Sequence, residues 1–364
     1  MLAELAEVWP DAPIFCTACD PEVVRKSPLA GRDLRPSFVQ RLPGLWSAGR
    51  PRHQATLPLW PLAVEQHDLR GFDAVVSSHH AAAHGVLTRS DQTHVAYTHS
   101  PARYAWDLYP EHVPPDAGGR AWAKRWLLHR FRRWDLAAAH RVDHFLANSA
   151  GVARRIAKAY RRGARVIHPP VGLDRFVRAG GPASGRAGYV CLGRLVPYKN
   201  VGPVVEAFRR SGHPLTVIGD GPEAGRLRAA AGPGTRFVLD ANDAAVAELL
   251  GSAKALVFAA EEDFGLAPVE ALAAGTPVIA LGRGGATETL EDGRSAVFFD
   301  EPTPGAIAAA VDRFEAGGVA LDADGLRAAA DRFAPAAFRS AVRGFVEAAR
   351  ERDLEHGPPA WGPR

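Results

Sequence analysis

From residue 188 onward, short apolar runs and helix-forming stretches alternate so regularly that few folds stay open to this chain. Tyr189-Val190-Cys191-Leu192, Leu215-Thr216-Val217-Ile218, Phe237-Val238-Leu239, Ala255-Leu256-Val257-Phe258, Pro277-Val278-Ile279-Ala280 and Ala296-Val297-Phe298-Phe299 each read as a strand. Runs with no polar alternation belong to parallel strands buried on both faces. Helical stretches over 202–210, 223–231 and 243–250 separate them, Asp243 being the expected N-cap of the last and Thr303-Pro304 the start of a later one. Strict strand–helix alternation with short loops implies a doubly wound parallel sheet. The first half repeats the pattern less cleanly. Strands are expected at 12–17, 72–78, 93–97, 142–148 and 165–168, with weaker candidates at 37–42 and 53–59. Helices are expected over 2–8, 81–87, 119–141 and 151–160. The expected fold class is α/β, with two Rossmann-like doubly wound domains facing across a cleft.

A chain of 364 residues suits two such domains. Their expected bounds are 1–177 and 188–333, with a Gly/Ala/Arg-rich linker over 178–187. A helix over 334–352 is expected to pack back on the first domain, ahead of a flexible tail over 353–364. The chain is 47% hydrophobic and 23% charged, as soluble globular proteins are. No run of about 18 apolar residues is present, so no membrane-spanning helix is expected. The opening Met1-Leu2-Ala3-Glu4-Leu5 is unlike a signal peptide, which makes the cytoplasm the expected compartment. The net charge of +4 rests on arginine, since only five lysines occur. That balance fits phosphate-bearing ligands or an anionic membrane surface; nucleic acid is not an expected partner. Three cysteines cannot all pair, which fits a reducing compartment. Cys16-Thr17-Ala18-Cys19 lies in a strand-like run with no second pair, so no metal or redox role is expected for it.

Three loops carry the chemistry. Glu262-Asp263-Phe264-Gly265-Leu266-Ala267-Pro268-Val269-Glu270 follows a buried strand and opens a short helix, with no Ser, Thr, Asp or Asn at Gly265, Leu266 or Ala267 to cap it. Uncapped N–H groups and the positive end of the helix dipole make an anion site, while Glu262 and Glu270 border it as acceptors for ligand hydroxyls. Phosphate plus polyol suggests a nucleotide sugar. A structural βα turn is the alternative. Gly193-Arg194-Leu195-Val196-Pro197-Tyr198-Lys199-Asn200 brings two cations and a glycine to the end of the first strand of its domain, suited to a diphosphate; a solvated loop is the alternative. Gly219-Asp220-Gly221-Pro222-Glu223-Ala224 partly satisfies a dinucleotide pattern but follows the second strand and carries an acid, so it reads as a tight turn at the cleft edge. Asp322-Ala323-Asp324 reads as a helix cap rather than a metal site.

In this order, and with Gly275-Thr276-Pro277-Val278 and Gly284-Gly285-Ala286-Thr287-Glu288, these motifs resemble those of the retaining glycosyltransferases of family 4, which have the GT-B fold. Tyr97-Thr98-His99-Ser100-Pro101-Ala102-Arg103-Tyr104-Ala105-Trp106-Asp107 and Glu261-Glu262-Asp263-Phe264-Gly265 look like the subgroup related to O-antigen mannosyltransferases. Ala147-Asn148-Ser149 and His168-Pro169-Pro170-Val171 extend the resemblance over nearly the whole chain. It implies that Arg194 and Lys199 bind the donor diphosphate and stabilise the departing nucleotide. Glu262 would contact the transferred sugar, Glu270 the ribose, and His99 the reacting sugar. Gly193, Gly221 and the backbone around Phe264, Gly265 and Leu266 would line the donor site. The chain departs from the family at Asp240, where glycine is usual, and at Ala259, where proline is common.

The resemblance implies transfer of a hexose, mannose from GDP-mannose above all, to a glycan or lipid-linked acceptor, with no metal and no cofactor beyond the donor. A binding or scaffold protein of the same shape is the rival. The stretch 120–133 interleaves Arg120, Lys124, Arg125, Arg130, Arg132 and Arg133 with Trp122, Trp126, Leu127 and Phe131, and Trp134 follows it. Such a helix either lies on an anionic membrane at the inner face of the cell, or puts its aromatics in the core and its arginines in water. Finally, residues 1–7 match the family's first helix from partway along. The strand and glycine-rich loop that precede that helix in the family are therefore expected to be missing, with about 15–25 further residues needed to supply them.

Overall fold

The computed structural model describes residues 1–42, 46–47, 50–51, 53–113, 119–177 and 185–357. They form two compact units: residues 1–168 with the chain from Phe338 onward, and Pro169–Ala337. The division falls at Pro169, ahead of the expected bound at 177, because Val171, Leu173 and Phe176 join the core of the second unit. Residues 178–184 of the expected linker lie outside the described residues. Arg186, near its end, is held by the Ala253 and Ala274 carbonyls, at 3.2 Å each.

In the first unit, β1 (Ile14–Cys16) and β2 (Leu34–Pro36) form a parallel pair, and β3 (Trp46–Ser47) and β4 (Arg50–Pro51) an antiparallel one. A separate parallel sheet runs β5 (Ala74–His79), β6 (Thr93–Thr98), β7 (His144–Ala147), β8 (Arg165–Val166). Among the described residues no strand flanks the outer edge of β5, where Ala74, Val75 and Val76 are half-buried, whereas β6 is buried throughout.

The stretches 37–42 and 53–59, expected as strands, are instead 3-10 turns at Phe38–Arg41 and His53–Leu59. The Ser37 hydroxyl accepts from the Val39 N–H at 3.2 Å, closing the first turn, and Pro58 removes a ladder donor from the second. The helix expected over 81–87 shrinks to a turn at Ala83–Gly85, held against Trp134 so closely that a Cβ on Gly85 would lie 2.4 Å from the indole.

The C-terminal helix Pro335–His356 seals the first unit. Phe338, Val342, Val346 and Ala349 pack with Leu5, Val95, Tyr97 and Leu146 in one apolar cluster. Arg339 pairs with Glu4, and Arg350 with Asp73 at 2.9 Å. Asp353 was placed in a flexible tail by sequence. It is instead helical, accepting from the Thr93 hydroxyl at 2.9 Å and lying 2.9 Å from His144 Nε2. Residues 358–364 of that tail lie outside the described residues. No helix among those described is long and apolar enough to cross a membrane.

The second unit is one six-stranded parallel sheet: β9 (Tyr189–Leu192), β10 (Leu215–Ile218), β11 (Thr235–Val238), β12 (Ala255–Phe258), β13 (Val278–Leu281) and β14 (Ala296–Phe299). Its order is β11-β10-β9-β12-β13-β14, doubly wound as the sequence implies. Asn242, rather than Asp243, caps the helix Asp243–Ser252, its Oδ1 accepting from the Ala245 N–H at 2.9 Å; Asn242 has the extended backbone that a cap requires. Thr303 and Asp322 cap the helices that follow them.

A buried polar chain crosses the first unit. The Asp135 carboxylate accepts from Trp106 Nε1 at 2.7 Å and the Tyr160 hydroxyl at 3.0 Å. His84 Nε2 lies 3.4 Å from the Asp135 carbonyl, which can only accept, so that nitrogen carries the proton. His84 Nδ1 then accepts from His79 Nδ1 at 3.1 Å, and His79 Nε2 from the Thr98 hydroxyl at 2.9 Å. Burial raises the Asp135 carboxyl to about 7 and lowers His84 to about 4. The two effects on stability oppose each other. The raised carboxyl contributes stability that is complete below its unfolded value near 3.9 and is lost as pH rises towards 7. The lowered imidazole contributes stability that is present above about 6.5 and is lost as pH falls towards 4. Asp135→Asn removes only the first slope. The stability of the variant minus that of the wild type is therefore expected to grow from about pH 4 to about pH 7. Urea unfolding followed by fluorescence across that range checks this, and a constant difference would sink the account.

Candidate functional site

In the second unit the strand order reverses between β9 and β12, the position where open α/β sheets bind ligands. These two strands pair only at Ala255–Tyr189 and Leu256–Val190, so their carboxyl ends part. The loops that leave those ends are the two singled out in sequence. After β9, Gly193 and Arg194 lead to the turn Pro197–Lys199 and the helix Val201–Ser211. After β12, residues 259–265 lead to the helix Leu266–Ala273. Neither helix has a side-chain cap; the cap positions are Asn200 at φ 53° and Gly265 at φ 83°. Two positive helix ends therefore rise side by side from the switch point. The Asn200 side chain ties the loops together, donating to the Ala259 carbonyl at 3.1 Å.

The charged residues pair within this frame. Lys199 and Glu262, assigned from sequence to different parts of a ligand, hold each other in an ion pair with both side chains mostly shielded. Arg194 is exposed, and among the described residues no hydrogen bond or ion pair holds its guanidinium. Glu270 is held by Arg175, whose Nη2 donates to Oε1 at 2.6 Å, while Nη1 reaches Asp243 at 2.7 Å. Burial raises the Glu270 carboxyl, and Arg175 opposes the rise. Arg175 was not picked out in sequence. It stands 95 residues from Glu270, with no local pattern to mark it. Leu266 is half-exposed at the start of its helix, while Phe264 is buried edge-on against Phe333, ring centroids 5.4 Å apart.

Glycines set how closely these loops approach. A Cβ on Gly285 would lie 2.3 Å from Phe264 Cα, and one on Gly284 would lie 2.4 Å from the Glu262 carbonyl. The Gly285 N–H donates to that carbonyl at 2.8 Å. Gly284-Gly285 thus clamps the backbone that carries Glu262 and Phe264. Likewise a Cβ on Gly219 would meet the Gly193 carbonyl at 2.1 Å, and one on Gly221 the Leu195 carbonyl at 2.3 Å. The Leu195 N–H donates to the Asp220 carbonyl at 2.9 Å. The glycines of 219–221 therefore shape the loop after β9 by close backbone contact.

His99 belongs to the first unit, directly after β6. Its N–H donates to the His79 carbonyl at 2.8 Å, and its Nε2 lies 3.0 Å from the Ser78 hydroxyl. Burial above all lowers it to about 4, with the positive groups of His80 and the Met1 amine adding to the effect, so the ring is neutral at physiological pH. Cys16 is raised to about 12 by burial and the neighbouring Cys19, and buried Cys191 likewise to about 12. Neither thiol is poised as a nucleophile.

Two-domain architecture and the switch-point site together define a GT-B protein. Anabaena Alr3699/HepE, solved with UDP and glucose, superposes with a TM-score of 0.66 at 17% identity, over 95% of this chain and 94% of that one. Sucrose-phosphate synthase from Thermosynechococcus elongatus gives 0.70 at 17%, over 95% and 90%. Residues 4–175 match the family described as Glycosyltransferase Family 4, and residues 175–331 the family described as Glycosyl transferases group 1. The chain thus has the GT-B fold, and each of its halves matches a glycosyltransferase family model. Among named relatives, a D-inositol 3-phosphate glycosyltransferase of Streptomyces scabiei is 30% identical over 206 residues, 48% of this chain and 46% of that protein. One of Streptomyces avermitilis is 32% identical over 200 residues, 46% and 43% respectively. The chain spans a little under half the length of these relatives.

Gly285→Ala is expected to destabilise the second unit by about 1–3 kcal/mol or more, because the added methyl meets backbone rather than a yielding side chain. Gly225→Ala, in the helix Ala224–Ala230 with open space around its Cβ, should instead be neutral or stabilise by up to about 1 kcal/mol. Denaturant unfolding of the two variants compares them directly; equal effects would refute the clamp.

Proposed function

We propose that this chain is a retaining glycosyltransferase that moves a hexose from a nucleotide diphosphate sugar to a glycan or lipid-linked acceptor in cell-surface polysaccharide synthesis. The observation that carries this reading is the pairing of two uncapped helix starts with Arg194 and Lys199 at the switch point of the second unit. A diphosphate needs charge neutralised at two adjacent groups, and this frame offers helix dipoles and two cations without a metal. Mannose from GDP-mannose is the donor favoured by the motifs around His99 and Glu262. The named relatives support sugar transfer, and the neighbour solved with UDP and glucose supports a nucleotide sugar as donor. The reading puts the reaction on the cytoplasmic side of the cell membrane.

The side chains then take these roles. Lys199 leaves Glu262 for the incoming diphosphate, and the released Glu262 carboxylate accepts from hydroxyls of the transferred sugar. Arg175 holds Glu270 through Oε1, which leaves Oε2 for the ribose hydroxyls. Gly193, Gly221, Gly265 and Leu266 shape the donor loops, and buried Phe264 fixes the helix start. As the glycosidic bond breaks, Arg194 and Lys199 stabilise the departing diphosphate, and the acceptor hydroxyl attacks from the same face. The neutral His99 ring suits a hydrogen bond to a hydroxyl of the reacting sugar.

Turnover across a panel of GDP- and UDP-sugars tests the reading and names the donor. The double variant Arg194→Ala with Lys199→Ala is expected to lose at least about a hundredfold in turnover while keeping its unfolding midpoint. Wild-type turnover in that variant would refute the site. A saturable thermal shift with GDP or UDP, but no transfer and no donor hydrolysis, would favour a binding or scaffold protein of the same shape.

A further inference from the structure

The helix Gly119–Ala139 divides its aromatic residues between two faces, and only one is used by the first unit. Leu128, Phe131, Asp135, Ala138 and Ala139 are buried, with Trp134 half-buried beside them. On the other side Trp122 is 68% exposed and Trp126 is 51% exposed. The core reading of this stretch thus holds for Leu128 and Phe131, while Trp122 and Trp126 stay at the surface. The exposed positions 122, 126, 130 and 133 recur at helical spacing, so the two tryptophans share a stripe with Arg130 and Arg133. Lys124 and His129 are exposed on its flanks. The Arg130 guanidinium stacks on the Trp126 indole, 5.1 Å from its centroid. Arg132 instead turns inward, donating to the Ala105 carbonyl at 2.8 Å and stacking on Tyr109. Arg120, the first cation of the stretch, has a side chain outside those described.

Charge decides what this stripe faces. Between residues 117 and 134 the sequence has six lysines and arginines and no acid; the next acid, Asp135, is buried. Two exposed indoles on an ordinary protein surface are an apolar liability. Beside a row of cations they match the headgroup layer of an anionic bilayer, where indole rings sit at the boundary and arginines meet lipid phosphates. We propose that Trp122, Trp126, Arg130 and Arg133 dock the first unit onto an anionic phospholipid surface. This holds whatever the second unit binds, and so does not rest on the donor chemistry.

Flotation of the full chain with vesicles of phosphatidylcholine, with and without phosphatidylglycerol, tests it. Binding is expected only to the anionic vesicles and should fall steeply as salt is raised to about 0.5 M. Trp122→Ala with Trp126→Ala, and separately Arg130→Glu with Arg133→Glu, should each weaken partition roughly tenfold or more. All four positions are exposed, so both variants should keep the wild-type unfolding midpoint and nucleotide-induced thermal shift. Three outcomes would overturn the proposal: no flotation of the wild type; equal flotation of wild type and variants; or stronger capture by soluble polyphosphate than by vesicles. Loss of the thermal shift in all proteins while flotation stays stripe-dependent would instead count against the donor site and leave the docking surface standing.

Discussion

The second unit depends on backbone meeting backbone where no side chain fits. Gly285 lies against Phe264, Gly219 against Gly193, and Gly221 against Leu195, each at a distance that even a methyl group would violate. These contacts pin the loops leaving β9 and β12 on either side of the point where the sheet reverses. Without them, the two helix starts would not be held in fixed relation, and their dipoles would not converge. The parting of β9 and β12 after Leu256 supplies the space, and the glycine contacts keep the walls in place.

Within that frame the ion pairs are held in reserve. Lys199–Glu262 is a shielded pair, so each partner's desolvation is offset by the other, while in Arg175–Glu270 the carboxylate is shielded and the arginine is exposed. Removing the cation of either pair would leave a poorly solvated carboxylate. A ligand that supplies a replacement anion to the lysine and hydroxyl donors to the glutamate can exchange partners with little net desolvation. On the function proposed above, the site thereby favours ligands that carry both chemistries together.

Much of this was legible in the sequence. Strands such as Ala255–Phe258 are buried on both faces, so their unbroken apolar runs identify them without any partner. The missing cap at Gly265 was readable because capping is local chemistry. What escaped depends on residues far apart in the chain. Arg175 meets Glu270, and the buried line from Asp135 to Thr98 passes through His84 and His79, on separate elements with no shared spacing. The misread strands at 37–42 and 53–59 failed for another reason. Apolar residues alternate at 55, 57 and 59 and adjoin at Phe38-Val39, but a hydroxyl cap at Ser37 and a proline at 58 turn the backbone. Whether the tryptophans of 119–139 face inward or outward was likewise undecidable from composition, because both faces of that helix carry aromatics.

The return of the last helix to the first unit has a consequence for how the chain assembles. Phe338, Val342 and Val346 complete a core begun by Leu5 and Val95, and Asp353 reaches Thr93 across a separation of 260 residues. On the ribosome, a chain emerging from its N-terminus can close the unit 169–337 as soon as that stretch is clear of the exit tunnel. The earlier-made unit must wait, with Val95, Tyr97 and Leu146 unsealed, until the final helix is synthesised. The order of maturation is therefore the reverse of the order of synthesis, and the exposed apolar face during that interval is where chaperones would be needed most.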